Sequence, residues 1–315
     1  MGTEVTDIRT KARIRAERNA LLKKMWMLYI FFLIPAVVLF IFQYVPMWGI
    51  IIAFKDYRIA RGILGSDWNN FEHFRMLFTN PYFGRIFRNT VLISFYRVIF
   101  GFPAPILLAL LMNEVMNIKF KRIVQSISYL PHFMSWVVLS GILLEILSPQ
   151  RGIVGYFYSL IGQEAPNLLT NPRLFRPMLI ATGIWQSVGW GTIVYLAAIS
   201  SIDPSMYESA AMDGANRLQQ AVHITLPSLA PVITILFILR LGQILNAGFD
   251  QIFNMYNPLV YEVADIIDTY VYRVGLIDRR FAFSTAVGLF KNVVGISLLL
   301  ATNAVVKRFS DYGIW

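Results

Sequence analysis

Six long runs of apolar residues constrain the fold of this chain more than any other feature. They cover about residues 25–45, 89–113, 125–147, 177–200, 222–246 and 281–306 of the 315. A membrane-spanning helix needs about 20 mostly apolar residues to cross roughly 30 Å of hydrocarbon. A helix also satisfies its own backbone hydrogen bonds, which lipid cannot do. The sequence therefore predicts an all-α, polytopic membrane protein with six transmembrane helices.

The composition supports a membrane protein and argues against several kinds of site. Hydrophobic residues make up 57% of the chain and charged residues 15%, whereas soluble domains have about 45–50% and about 25%. The net charge of +10 fits basic residues that flank spans and meet anionic lipid, so we expect no nucleic-acid partner. With no cysteine and three scattered histidines, we expect no disulfide, no thiol nucleophile and no metal site.

The distribution of basic residues predicts the orientation in the membrane. Residues 1–24 form a basic arm, and the short second connection carries Lys119, Lys121 and Arg122. Basic residues beside spans stay on the cytoplasmic side, so both termini and the connection at 201–221 are predicted to be cytoplasmic. The first apolar run is longer than the 7–15-residue core of a signal peptide, and we expect it to be retained.

A polar segment with helix signals separates the fourth apolar run from the fifth. Asp203 can cap free N–H groups and Pro204 suits a first helical position, so a helix is predicted from Pro204 to about Asp213. Gly214 tolerates positive φ and permits a sharp break, after which a second helical piece leads into the fifth run. Residues 204–221, the elbow segment, are thus predicted to form a rigid bend. A plain amphipathic helix at the membrane interface has a similar local pattern.

A distinctive spacing joins six residues in and after the elbow segment: Glu208, Ala210, Gly214, Ile224, Leu226 and Pro227. This pattern resembles the EAA loop of binding-protein-dependent ABC transporter permeases. The resemblance implies that the elbow segment is a cytoplasmic coupling helix, which docks into a groove on a separate ATP-hydrolysing subunit. Ser209 stands where the family usually has alanine, but serine is small enough to fit. The implied coupling residues are Glu208, Ser209, Ala210, Ala211, Asp213, Gly214, Ala215, Ile224, Leu226 and Pro227.

The resemblance also implies that this chain is one subunit of an importer in the bacterial inner membrane. Residues 25–315 would be its transmembrane domain, a transport subunit and not an enzyme, and the chain has no G-x-x-x-x-G-K-[ST] phosphate loop. No cofactor is expected in this chain, because ATP and Mg would be bound by two ATP-binding cassette subunits. The other implied partners are a second homologous permease and a periplasmic or extracellular solute-binding protein. The implied mechanism is ATP-driven alternating access.

Two further stretches, 249–258 and 265–273, resemble the branch of this family that handles oligo- and polysaccharides. The alternative is a secondary transporter or channel for a polar solute, which would place acidic relays in mid-span. No Asp or Glu lies near the centre of any predicted span. A membrane enzyme would need paired carboxylates, but no nucleophile or ligand set surrounds Asp265 and Asp268, to which the resemblance gives a structural role.

Polar residues inside the predicted spans are candidates for a substrate path, because such residues usually face a cavity or a partner. Arg240, Gln243 and Asn246 follow at intervals of three, which predicts one helix face. Basic residues in a pore would attract sugar acids such as oligouronates. Hydrogen bonding between helices and snorkelling of arginines are the competing interpretations. The candidates are Arg97, Trp185, Gln186, Arg240, Gln243, Asn246 and Asn292, with Lys291, Trp190 and Tyr195 as further basic and aromatic residues.

Overall fold

Helices make up nearly all the regular structure of the described residues. The computed structural model describes residues 24–309, so most of the predicted basic arm (1–23) and residues 310–315 lie outside it. Two short strands, β1 (Lys55–Asp56) and β2 (Asp67–Trp68), pair antiparallel. The helices are α1 (Trp26–Phe54), α2 (Gly62–Gly65), α3 (Glu72–Thr79), α4 (Phe83–Glu114), α5 (Ile118–Phe133), α6 (Trp136–Ile146), α7 (Ile153–Leu160), α8 (Pro172–Ser200), α9 (Pro204–Met212), α10 (Arg217–Gly242), α11 (Phe249–Met255), α12 (Tyr261–Ala264), α13 (Ile267–Tyr272) and α14 (Phe281–Phe309).

Several of these helices suit a membrane. Among residues 24–309, α1, α4, α10 and α14 are long and apolar enough to cross one, and the bent pair of α5 and α6 adds a fifth if it forms a single broken span. The predicted span 177–200 lies within α8, which is 29 residues long and includes polar residues such as Gln186. The predicted all-α, polytopic fold is confirmed.

The third predicted span, 125–147, is not one continuous helix. α5 ends in a 3-10 turn, and α6 leaves it at an angle of 109°. Pro131 lacks the N–H that would continue the hydrogen-bond ladder, and Met134 adopts an extended conformation with φ −88° and ψ 137°. Ser135 then caps the new helix with its side-chain oxygen. If residues 125–147 cross the membrane, they do so as two helices joined at a bend.

The fifth predicted span, 222–246, ends earlier than expected. α10 stops at Gly242, a residue type of low helix propensity, and Gln243 leaves the helical region with φ −103° and ψ 18°. The N–H of Asn246 donates to the carbonyl of Gln243 at 2.8 Å, which closes a turn. The prediction that Arg240, Gln243 and Asn246 share one helix face is therefore wrong.

α8 lies at the centre of the described fold. It packs against α4, α5 and α10. The largest hydrophobic core lies between α8 and the 247–280 segment, and it includes the fully buried side chains of Phe175, Leu179 and Ile252. This core holds the 247–280 segment against α8 and against parts of α4 and α6.

α1 stands apart from this core. None of its residues from Trp26 to Met47 is buried, and its packing on α14 is made by Trp48–Phe54. An apolar surface of this length needs an apolar environment. In a membrane, lipid or another chain therefore covers α1.

Candidate functional site

The elbow segment consists of a capped helix and a glycine bend. α9 begins at Pro204, and Asp203 Oδ1 accepts a hydrogen bond from the N–H of Ser205 at 2.9 Å. Hydrogen bonds from Ser205 lower the pKa of the Asp203 carboxyl, so this cap stays ionised at neutral pH. After α9, Gly214 adopts φ +81°, a region that glycine enters without a Cβ penalty.

Side-chain contacts fix the angle between the two limbs of the elbow. The hydroxyl oxygens of Tyr207 in α9 and Thr225 in α10 lie 2.9 Å apart. The second limb starts with a capping box, in which Asn216 and Gln219 each bond the backbone of the other. A groove of about 270 Å³ lies between the limbs, with Gly214 in its wall. The bend is thus a hydrogen-bonded structure with a defined concave surface.

The first limb of the elbow, α9, is open to a partner. No residue of α9 is buried. Two apolar side chains, Met212 and Leu218, are 85% and 73% exposed; they are absent from the sequence-based set, although an apolar residue in a polar segment is a signal of a contact surface. Of the predicted coupling residues, Glu208, Ser209, Ala211, Asp213, Gly214 and Pro227 are exposed, and Ala210, Ala215, Ile224 and Leu226 are half-buried.

A cavity of about 690 Å³ brings several of the polar candidates together. It lies between α4, α10, α13 and α14, and its wall includes Arg97, Arg240, Asn246 and Lys291. Asp268 of α13 also lines the cavity, and its Oδ1 lies 2.5 Å from Lys291 Nζ. The volume falls within the range of about 300–1,000 Å³ that is typical of small-molecule sites.

Arg97 is fixed where α4, α8 and α11 meet. A π-helical turn, Arg97–Gly101, interrupts α4 at this point, as is common near functional sites. Arg97 Nη2 donates to Gln251 Oε1, and Gln251 Nε2 donates to the carbonyl of Leu179 at 2.9 Å. Gly248 has φ +87°, and a Cβ there would lie 2.3 Å from Arg97 Nη1. Arg97 therefore joins three elements in addition to lining the cavity.

A second cavity, of about 330 Å³, continues along α8. It shares Arg97 and Arg240 with the first cavity and adds Trp190 and Tyr195. The ring of His132 stacks on Trp190 with 4.8 Å between the centroids, so one face of this indole is already covered. The other predicted path residues line neither of the two cavities: Trp185, Gln186, Gln243 and Asn292.

Polar contacts fix the 247–280 segment to α4 and α8. The carboxylate of Asp265 is buried, and its Oδ2 accepts a hydrogen bond from Arg273 Nη2 at 2.6 Å. Asn89 of α4 donates to the carbonyl of Asp265 at 3.1 Å, and Arg176 of α8 donates to Asn89 Oδ1 at 2.6 Å. Asp265 therefore has a structural role, whereas Asp268 faces the cavity.

Known proteins resemble this chain over most of its length. Residues 101–311 match the family described as "Binding-protein-dependent transport system inner membrane component". The "Polygalacturonan/rhamnogalacturonan transport system permease protein YteP" of Bacillus subtilis strain 168 is 46% identical over 288 residues, which are 91% of this chain and 90% of that protein. "Protein LplB" of the same organism is 43% identical over 297 residues, which are 94% and 93% of the two chains.

A solved structure shares the fold. A chain in the crystal structure of a bacterial ABC transporter involved in the import of the acidic polysaccharide alginate aligns with a TM-score of 0.84 and 43% identity. The alignment covers 92% of this chain and 98% of that one. Since the family match covers more than half of the chain, and these relatives cover nearly all of it, the chain belongs to the binding-protein-dependent transport system inner membrane components.

Proposed function

We propose that this chain is the permease subunit of a bacterial ABC importer for oligosaccharides or polysaccharide fragments. The exposed elbow segment carries the proposal, because a capped helix, a glycine bend and a hydrogen bond between the limbs form a rigid surface for a partner. Family membership supports the permease role. Family membership also argues against the alternative function, a secondary transporter or channel, because such proteins belong to a different class.

The elbow segment couples transport to two ATP-binding cassette subunits, which bind ATP and Mg and hydrolyse the nucleotide. In this proposal the elbow and both termini lie on the cytoplasmic side. Closure of the ATPase subunits displaces α9, and the contact between Tyr207 and Thr225 passes the displacement to α10. Arg240 lies at the opposite end of α10, so this movement changes the shape of both cavities. A second homologous permease and this chain together enclose the substrate path. The movement then opens this path alternately to the two sides of the membrane.

Acidic oligosaccharides, such as oligouronates, are the proposed substrate class. The relative YteP is described as a transporter of polygalacturonan and rhamnogalacturonan, and the similar solved structure takes part in the import of an acidic polysaccharide. In this chain, Arg97, Arg240 and Lys291 line the large cavity, and a positively charged cavity raises the local concentration of anions. A solute-binding protein outside the membrane delivers the substrate.

Purification and reconstitution test the proposal. Affinity purification of the chain from native membranes should recover an ATP-binding cassette protein and a second permease. In proteoliposomes supplied with the binding protein, an oligogalacturonide should stimulate ATP hydrolysis and enter the lumen, and a neutral maltooligosaccharide of equal length should do so much less. Recovery of the chain without any ATPase, or uptake driven by an ion gradient in the absence of ATP, would contradict the proposal.

A further inference from the structure

The large cavity contains more positive than negative charge. Three basic side chains, Arg97, Arg240 and Lys291, and one acidic side chain, Asp268, line it. Three positive charges and one negative charge leave a net charge of +2. Charges within a membrane-embedded protein are costly unless they are paired or face a cavity. An anionic ligand therefore suits this cavity better than a neutral one.

The three basic groups differ in the partners that they have. Lys291 is paired with Asp268 at 2.5 Å, and these side chains are only 13% and 24% exposed. Arg97 donates to Gln251. Within residues 24–309, the side chain of Arg240 has neither a hydrogen bond nor an ion pair. Arg240 is thus the basic group of this cavity that is open to a ligand.

Arg97 increases the preference of this position for an anion. Both arginines line the large and the small cavity, so two like charges face the same space and repel each other. An anion between them replaces this repulsion with attraction. A guanidinium group binds a carboxylate through two parallel N–H···O hydrogen bonds, and the hydroxyl groups of a neutral sugar cannot form this arrangement with the same strength.

We propose that Arg240 binds a carboxylate of the transported sugar acid and that Asp268 competes with a further carboxylate of that substrate for Lys291. This assignment rests on the proposed function and adds the residues that select for charge. In the structure Asp268 neutralises Lys291, so Arg240 and Arg97 receive the substrate carboxylate. A carboxylate that reaches Lys291 must displace Asp268. The competition limits the affinity, and transport requires a substrate to leave its site as well as enter it.

Equilibrium binding of labelled trigalacturonate to the purified transporter complex, measured without the binding protein, tests the assignment. Arg240→Gln should weaken binding about tenfold, as expected when a charged hydrogen bond is lost. The affinity of Arg240→Lys for trigalacturonate should lie between the affinities of the wild type and of Arg240→Gln. Lysine keeps the positive charge but lacks the planar guanidinium group that donates two parallel hydrogen bonds. Asp268→Asn should strengthen binding by about threefold, because it removes the competing charge beside Lys291.

Two controls separate charge selection from general damage. Arg151→Gln removes the charge of an exposed arginine that does not line the cavity, and it should leave trigalacturonate binding unchanged. Methyl-esterified trigalacturonate has no free carboxylate, and none of the variants should change its affinity. Thermal unfolding of each complex identifies a variant that fails to fold. If Asp268→Asn is unstable, the double variant Asp268→Asn/Lys291→Gln removes both charges, and its affinity for trigalacturonate should match that of the wild type.

The possible results distinguish the assignment of Arg240 and Asp268 from the importer role. If Asp268→Asn weakens trigalacturonate binding in a stable complex, the pair of Asp268 and Lys291 is structural, and the assignment is overturned. If Arg240→Gln leaves the affinity unchanged, another chain supplies the counter-charge of Arg240, which also overturns it. Sugar-stimulated ATP hydrolysis by the wild type, measured in parallel, reports on the importer role alone. Stimulation together with an unaffected Arg240→Gln contradicts only the assignment of Arg240 and Asp268.

Discussion

The hydroxyl oxygen of Tyr207 lies 2.9 Å from the hydroxyl oxygen of Thr225. Tyr207 belongs to α9, the exposed helix of the elbow segment, and Thr225 is a buried residue of α10. The contact therefore joins the surface that is proposed to meet the ATPase to the helix that leads to Arg240. In the proposed mechanism, a push on α9 is transmitted through this hydrogen bond as well as through the backbone.

Tyr207→Phe should reduce ATP-driven uptake roughly two- to tenfold, because a hydrogen bond of this kind contributes ~0.5–1.5 kcal/mol. ATP hydrolysis without sugar should remain, since the partner subunits are unchanged. The measurement is the ratio of sugar imported to ATP hydrolysed in proteoliposomes. Tyr156→Phe removes the hydroxyl of an exposed tyrosine elsewhere and should leave the ratio unchanged. An unaltered ratio in Tyr207→Phe would mean that the contact does not transmit motion.

Gly214→Ala should weaken assembly with the ATPase subunits. A Cβ at Gly214 meets no atom within 4 Å, so its φ of +81° is the sole source of strain, and this strain costs ~1–2 kcal/mol. We expect several-fold less ATPase to co-purify with this variant. Gly141→Ala is the matched control, because a Cβ there also meets nothing within 4 Å and the backbone is helical. Equal recovery of ATPase from both variants would contradict the proposed role of the bend.

Gly248→Ala should destabilise the transmembrane domain by ~1–2 kcal/mol, because a residue with a Cβ is strained at φ +87° and the Arg97 guanidinium must shift. The new Cβ would lie 2.3 Å from Arg97 Nη1, and Arg97 is held by Gln251. Thermal unfolding of the purified complex measures the loss. The double variant Gly248→Ala/Arg97→Ala should cost less than the two single changes added together, because the clash is gone. Strict additivity would show that the two residues do not interact.

Met212→Ser should weaken the association with the ATPase about tenfold and leave the fold of the permease intact. Met212 is 85% exposed, and an apolar side chain buried at the centre of an interface contributes ~1–2 kcal/mol or more to binding. Leu64→Ser is the control, since Leu64 is 90% exposed and lies far from the elbow in the sequence. A larger effect of Leu64→Ser on ATPase binding would place the interface elsewhere.

The sequence predicts much of the fold and of the elbow because the signals there are local. Apolar runs, the cap at Asp203, the proline at Pro204 and the glycine at Gly214 each act within a few residues, so they can be read directly from the chain. The break at Pro131 was also present in the sequence, but a single proline is tolerated inside many spans. Its effect depended on the extended conformation of Met134.

The cavities could not be predicted in the same way, because they depend on contacts between distant segments. Arg97 and Gln251 are 154 residues apart in the chain, and Asp268 meets Lys291 across a helix boundary. The spacing of three residues predicted that Gln243 and Asn246 share a helix face with Arg240. The helix ends at Gly242, before either of them. Residue type alone therefore identified the charged candidates but not which of them meet.

Cross-linking from the elbow segment tests the central claim most directly. The chain has no cysteine, so Met212→Cys introduces a unique thiol on the exposed surface of the elbow. In the assembled transporter, a short bifunctional reagent should join this thiol to an ATP-binding cassette subunit, and a membrane-impermeant maleimide should label it only from the cytoplasmic side. Labelling of Met212→Cys from outside the membrane, or cross-links to no nucleotide-hydrolysing protein, would contradict the account.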